Sequence, residues 1–142
     1  LIKDTNFKAT LIPASNKTQI KDGFSLIDGY IFYKNQKIFL GDTMNLAGGH
    51  NKQNILFSFI IAKLHNIPNK NAIAAIHQFS GLKYRMHLYK KISNINFIND
   101  SKATNIVATE NALKTYNNIY WIVGGRTKKD SILDLEKYFP KI

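Results

Sequence analysis

Apolar and polar residues change their spacing several times along the chain, and each change marks an element. Residues 1–28 are weakly patterned. The stretch "GYIFYKNQKIFLG" at 29–41 holds two aromatic or β-branched runs around Lys34-Asn35-Gln36, which predicts a hairpin. "DTMNLAGGHN" then reads as a loop. From Asn51 to about Leu64 the period turns helical. Ile55, Ile60, Ala62 and Leu64 make an apolar side, and Phe57, Phe59 and Ile61 extend it nearly all round, so a buried helix is expected. Asn66 and Pro68 end it. A second helix over about 69–79 carries Ala72, Ile73, Ala75, Ile76 and Phe79, with Gly81 placed as its C′ residue.

The second half alternates differently. "YRMHLYKK", a turn at Ser93-Asn94 and "INFIN" predict another hairpin. "TNIVATENALKTY" reads as a helix with Thr104 as its N-cap. "NIYWIVGG" reads as a strand running into a Gly-Gly turn, and "SILDLEKYF" as a helix capped by Ser131 with Leu133, Leu135 and Phe139 among its buried positions. A strand, helix, strand order with a crossover helix of about a dozen residues is the parallel βαβ unit. The fold class expected is therefore α/β. Sites in such sheets gather at the carboxyl ends of strands, where the polar turns 99–105 and 124–129 fall. The boundary between two domain pieces is expected at Leu82-Lys83, with a hinge around it.

Composition narrows the function classes. An apolar fraction of 44% and an aromatic fraction of 12% suit a folded protein. With no cysteine there is no disulfide framework and no thiolate metal site. The net charge of +11 invites a nucleic-acid partner. Yet only Arg85 and Arg126 are arginines, the lysines form no stripe, and the abundance of Ile, Lys and Asn is what an AT-biased genome writes. No nucleic-acid partner is expected. No membrane insertion is expected either, because no run reaches the roughly 18–20 apolar residues of a spanning helix.

The polar turns hold the candidate chemistry. Asp100 directly follows a predicted strand, where a carboxylate can accept both hydroxyls of a ribose; alternatively it caps the next turn. Lys102 can neutralise a phosphate or carboxylate, or lie solvated on the surface. Thr104 is an N-cap before it is a ligand. "GGRTKKD" at 124–130 puts backbone amides and Lys128 where an anion would suit, although GxGxxG and GxxxxGK[ST] are both absent. Asn51 and Asn54, at i and i+3 of a helix start, match an adenine edge or simply form an exposed first turn. His50, His65, His77 and His87 lack metal-binding spacing, so no metal ligands are assigned.

Taken in order, "GGHNKQN", "FSGLKYR", "INDSKATN" and "VGGRTKKD" resemble the Mur ligase family, from about Gly29 onward. Among its members the resemblance is to those that add D-glutamate to UDP-N-acetylmuramoyl-L-alanine in cytoplasmic peptidoglycan synthesis. It implies that 1–82 is the C-terminal part of a central ATP-binding domain and 83–142 a partial, Rossmann-like C-terminal ligase domain. It implies ATP and Mg2+ as cofactors, with the metal ligands upstream. The partners implied are ATP, UDP-N-acetylmuramoyl-L-alanine and D-glutamate, or a separately encoded N-terminal piece.

By the same resemblance Asn51 and Asn54 face adenine, Arg85 reaches nucleotide phosphate, and Asp100 holds ribose. Lys102, Thr104 and Lys128 lie near the acyl phosphate and the incoming amino acid, with Lys102 and Arg85 the catalytic pair. Two positions depart from the family pattern: Tyr84 stands where a histidine is usual, and His87 where a glutamate is usual. The chain is read as a fragment, inactive alone for want of a phosphate loop. The alternative is a non-catalytic remnant or a partner subunit of a split ligase.

Overall fold

A computed structural model describes residues 9–43, 46–126 and 131–142 of the chain. It is a mixed α/β structure with two small sheets. The first has the order β1-β2-β3-β4, built from β1 (Ala14–Ser15), β2 (Phe24–Ile27), β3 (Tyr30–Tyr33) and β4 (Gln36–Phe39). β1 runs parallel to β2, and the other pairs are antiparallel. The predicted hairpin is β3–β4. A second tight hairpin precedes it, because Asp28-Gly29 supplies two positive φ angles, 47° and 75°, that a two-residue turn between twisted strands needs. At Gly23 no side chain fits: a Cβ would lie 2.4 Å from the Pro13 carbonyl oxygen.

Strand alternation sends Phe24, Leu26, Ile31, Tyr33 and Ile38 to one face, where they form the core with α1 (Gly49–Leu64). α1 buries Ile55, Leu56, Phe59 and Ile60. The expectation of a helix buried all round is corrected: Phe57, Ile61 and Leu64 are 45%, 57% and 60% exposed. The sheet lies along one side of the helix only, so its apolar excess on the far side meets water. α2 (Asn69–Gln78) follows Pro68 as expected and buries Ala72 against the same core. Gly81 does have positive φ, 84°, but Phe79 already leaves the helix in an extended conformation, so Gly81 turns the chain further on and is not its C′ residue.

The second sheet is the predicted hairpin of β5 (His87–Ile92) and β6 (Ile95–Asn99), turning through Ser93 at φ 51°. α3 (Ile106–Thr115) follows it. The strand predicted in "NIYWIVGG" does not form, so the parallel βαβ unit expected from the spacing is corrected. Tyr120 and Ile122 are 98% and 99% exposed. A strand needs a neighbour to take its backbone bonds, and no strand among the described residues lies beside this one.

Ser131 caps the last helix as expected, in a reciprocal box with Asp134, but that helix (Ile132–Lys141) is 3₁₀. Three residues per turn put Leu135 and Tyr138 on one face. Leu135 is buried, whereas Leu133 and Phe139, also expected inside, are 66% and 37% exposed.

One carboxylate ties this helix to α3. Glu110 binds Lys114 at 2.8 Å, Lys137 at 2.7 Å and the Tyr138 hydroxyl at 2.8 Å. Those partners, Lys114 first, lower its pKa from 4.5 to about 2. A carboxyl with a depressed folded pKa stabilises above its unfolded value and loses that contribution as pH falls. The melting-temperature gap between wild type and Glu110→Gln is therefore expected to be full above pH 4.5 and to close as pH falls to about 2. Thermal melts across that range check it.

Candidate functional site

The site begins where α1 begins. Gly48 enters the helix at φ 97°, and a Cβ there would stand 2.8 Å from Thr115 Oγ1 and 2.9 Å from His50 Cε1. Glycine is thus needed both for its backbone angle and for the close approach of the last turn of α3. The Asn51 side chain folds back, its Nδ2 donating to the Ala47 carbonyl at 2.8 Å, and so braces the loop. Asn16 Nδ2 donates to the Gly49 carbonyl at 2.9 Å from the sheet side. Asn54 is exposed one turn further on.

The acidic turn after β6 meets this helix start. Asp100 is half-buried, and its charge is felt at two neighbours. Burial lowers the pKa of His50, and the Asp100 carboxylate opposes that shift. Burial raises the pKa of Tyr116, and Asp100 raises it further. The Asp100 carboxylate, at the end of β6, is thus near enough to His50 in the first turn of α1 and to Tyr116 at the end of α3 for its charge to act on both. Neither His50 nor Tyr116 was singled out as a site residue from sequence. The usable signal for His50 was its place next to Asn51; Tyr116 gave none.

Hydrogen bonds fix the turn itself. Asp100 Oδ1 accepts the Met86 N–H at 2.9 Å, and the Asp100 carbonyl accepts the Ala103 N–H at 2.8 Å. The Lys102 N–H donates to the Tyr84 carbonyl at 3.0 Å. Arg85 lies between these two bonds and is exposed, as is Lys102. The ion pairs among the described residues are those of Glu110, so neither cation is neutralised within the described part.

The expected cap is corrected. Asn105, not Thr104, caps α3, its Oδ1 accepting the Ala108 N–H at 2.8 Å. The helix starts one residue later than its apolar pattern suggests, and Thr104 is exposed in front of it. Lys128 lies outside the described residues. No group of three or more His, Cys, Asp or Glu that could hold a metal ion occurs among the described residues. No helix among them is long and apolar enough to cross a membrane.

No protein-family model matches the chain. Curated relatives match 83–100% of the chain and place it in the Mur ligase family, over a stretch about a third of their own length. They carry the name UDP-N-acetylmuramoylalanine–D-glutamate ligase. The one from Rickettsia prowazekii (strain Madrid E) is 38% identical over 142 residues, 100% of this chain and 32% of the relative. Those from Rickettsia felis and from the Wolbachia of Brugia malayi are 37% and 38% identical over 93% and 96% of this chain, and 29% and 28% of the relatives.

The two possible caps separate in a stability measurement. Asn105→Ala is expected to cost about 1 kcal/mol, and Thr104→Ala only a few tenths. Urea unfolding followed by far-UV circular dichroism checks both.

Proposed function

We propose that the chain is the C-terminal portion of an ATP-dependent amide ligase that adds D-glutamate to UDP-N-acetylmuramoyl-L-alanine in cytoplasmic peptidoglycan synthesis. Residues 1–82 are the end of the central ATP-binding domain, and 83–142 the first half of the Rossmann-like C-terminal domain. The observation that carries the reading is the match of the entire chain, at 38% identity, to a ligase of that name. Supporting it, the Asp100 carboxylate holds the Met86 N–H beside Arg85 and acts through its charge on His50 in the first turn of α1, 50 positions away.

The reaction has two steps. The substrate carboxylate attacks the γ-phosphorus of ATP and ADP leaves, giving an acyl phosphate. The amine of D-glutamate then attacks the acyl carbon, loses a proton, and phosphate leaves. Such chemistry rests on positioning and on neutralising charge. Asn51 and Asn54 face the adenine edge. Asp100 takes the ribose diol, using the carboxylate oxygen that does not hold Met86. The exposed Arg85 guanidinium lies on nucleotide phosphate, where a planar fork of donors suits the oxygens. Lys102 lies on the acyl phosphate, and Thr104 and Lys128 hold the incoming amino acid. Mg2+ finds no donor cluster among the described residues, so no step is assigned to it here.

The sequence holds no GxxxxGK[ST] loop to cradle the β- and γ-phosphates. Calorimetric titration of the isolated chain with ATP is therefore expected to show weak binding that Asp100→Ala weakens by about tenfold, the worth of one charge-assisted hydrogen bond. Phosphate release with both substrates is expected to be absent. In the complete ligase, Arg85→Ala is expected to lower D-glutamate-dependent phosphate release on the order of 100-fold. Robust turnover by the isolated chain, or ATP binding indifferent to Asp100, overturns the reading.

A further inference from the structure

Two hydrogen bonds join the segment 84–86 crosswise to the turn 100–102. The Met86 N–H donates to Asp100 Oδ1 at 2.9 Å, and the Lys102 N–H donates to the Tyr84 carbonyl at 3.0 Å. They straddle Arg85. The residues on either side of that arginine are both left-handed, Tyr84 at φ 68° and Met86 at φ 45°. Asn66 and Asn118 are left-handed as well, at 57° and 53°, but asparagine tolerates that region through local hydrogen bonds of its own side chain. Tyrosine and methionine have no such compensation. Two of them flanking one residue persist only where the surroundings over-determine the backbone. What over-determines it here is a charge-assisted bond to a carboxylate, backed by a second bond between the two backbones.

We propose that Asp100 is a positioning residue for Arg85: its carboxylate latches the hinge in a left-handed twist that sets the direction in which the arginine leaves the backbone. What the arginine then meets rests on the function proposed above; the latch itself does not. The assignment of ribose to the same carboxylate adds a consequence. A diol on the other oxygen draws charge from the carboxylate whose Oδ1 holds the Met86 N–H, so occupancy at Asp100 and the set of the hinge are linked, each altering the other equally.

Nuclear magnetic resonance of the intact 142-residue chain, without nucleotide, tests the latch. Asp100→Ala is expected to speed amide exchange at Met86 at least about tenfold, the loss of one charge-assisted hydrogen bond. It should also weaken the strong intraresidue amide–Hα cross-peak of a left-handed residue at Met86, while Asn66 and Ser93 keep theirs. Asp100→Asn leaves an oxygen at the same place and should speed Met86 exchange by no more than about threefold. Asp100→Glu keeps the charge but moves the oxygen by a methylene, and is expected to behave as the alanine variant does. It carries the test if the alanine variant does not fold, as judged by the amides of Phe59 and Leu113. Met86 exchange unchanged in the alanine or glutamate variant, or as fast in the asparagine variant as in those two, overturns the proposal. Failure of the chain to bind ATP would leave this result standing, because no nucleotide is present.

Discussion

One helix face holds the first half of the chain together. Ile55, Leu56, Phe59 and Ile60 of α1 press against β2 and β3, and each such side chain contributes roughly 1.5–3 kcal/mol when fully buried. That contact fixes the axis of α1 and with it the position of Gly48, His50 and Asn51 at its start. The end of α3 approaches the same turn closely enough that Gly48 cannot carry a side chain. The polar residues at the start of α1 are thus positioned by an apolar contact that begins about one turn along the same helix. A change that tilts α1 would move Asn51 and Asn54 relative to the acidic turn without altering a polar residue.

Local pattern carried most of the elements. The hairpin around Lys34, both helices of the first half and the hairpin turning at Ser93 form where their spacing places them. In each, the deciding signal lies within a few residues: a turn dipeptide, a proline, an apolar stripe. The failures are those in which a distant neighbour decides. "YWIV" has the composition of a strand, but a strand is a relation between two segments, and the Tyr120 and Ile122 side chains are exposed. The apolar girdle of α1 suggests burial all round, yet how many faces are covered depends on what else packs there. The last helix winds as 3₁₀, and the shift from 3.6 to 3 residues per turn moved Phe139 off the face of Leu135, whereas Leu133, two positions from Leu135, faces away with either winding.

The site was legible in a different way. No single turn carried its chemistry above the plain alternatives; the order of four polar turns did. Asp100 is bonded to the residue after Arg85, and its charge acts on His50 in the first turn of α1. The roles assigned to them still come from resemblance, since carboxylates and asparagines of this kind also cap and brace, as Asn51 does here. What sequence could not supply is the bond between Asp100 and Met86, residues 14 apart joined through a backbone amide that any amino acid but proline would offer. The cap at Asn105 was missed for a smaller reason: threonine and asparagine stand side by side, and either side chain can reach the helix start.

Lys141 has a part out of proportion to its place in the chain. Its ammonium spans the carbonyls of Leu113 at 3.1 Å and of Lys114 and Tyr116 at 3.3 Å each, and so plugs the negative end of α3. Its own carbonyl accepts the Ile119 N–H at 2.7 Å. Loss of the Lys141 side chain would uncork that helix and loosen the strand-like segment beside it.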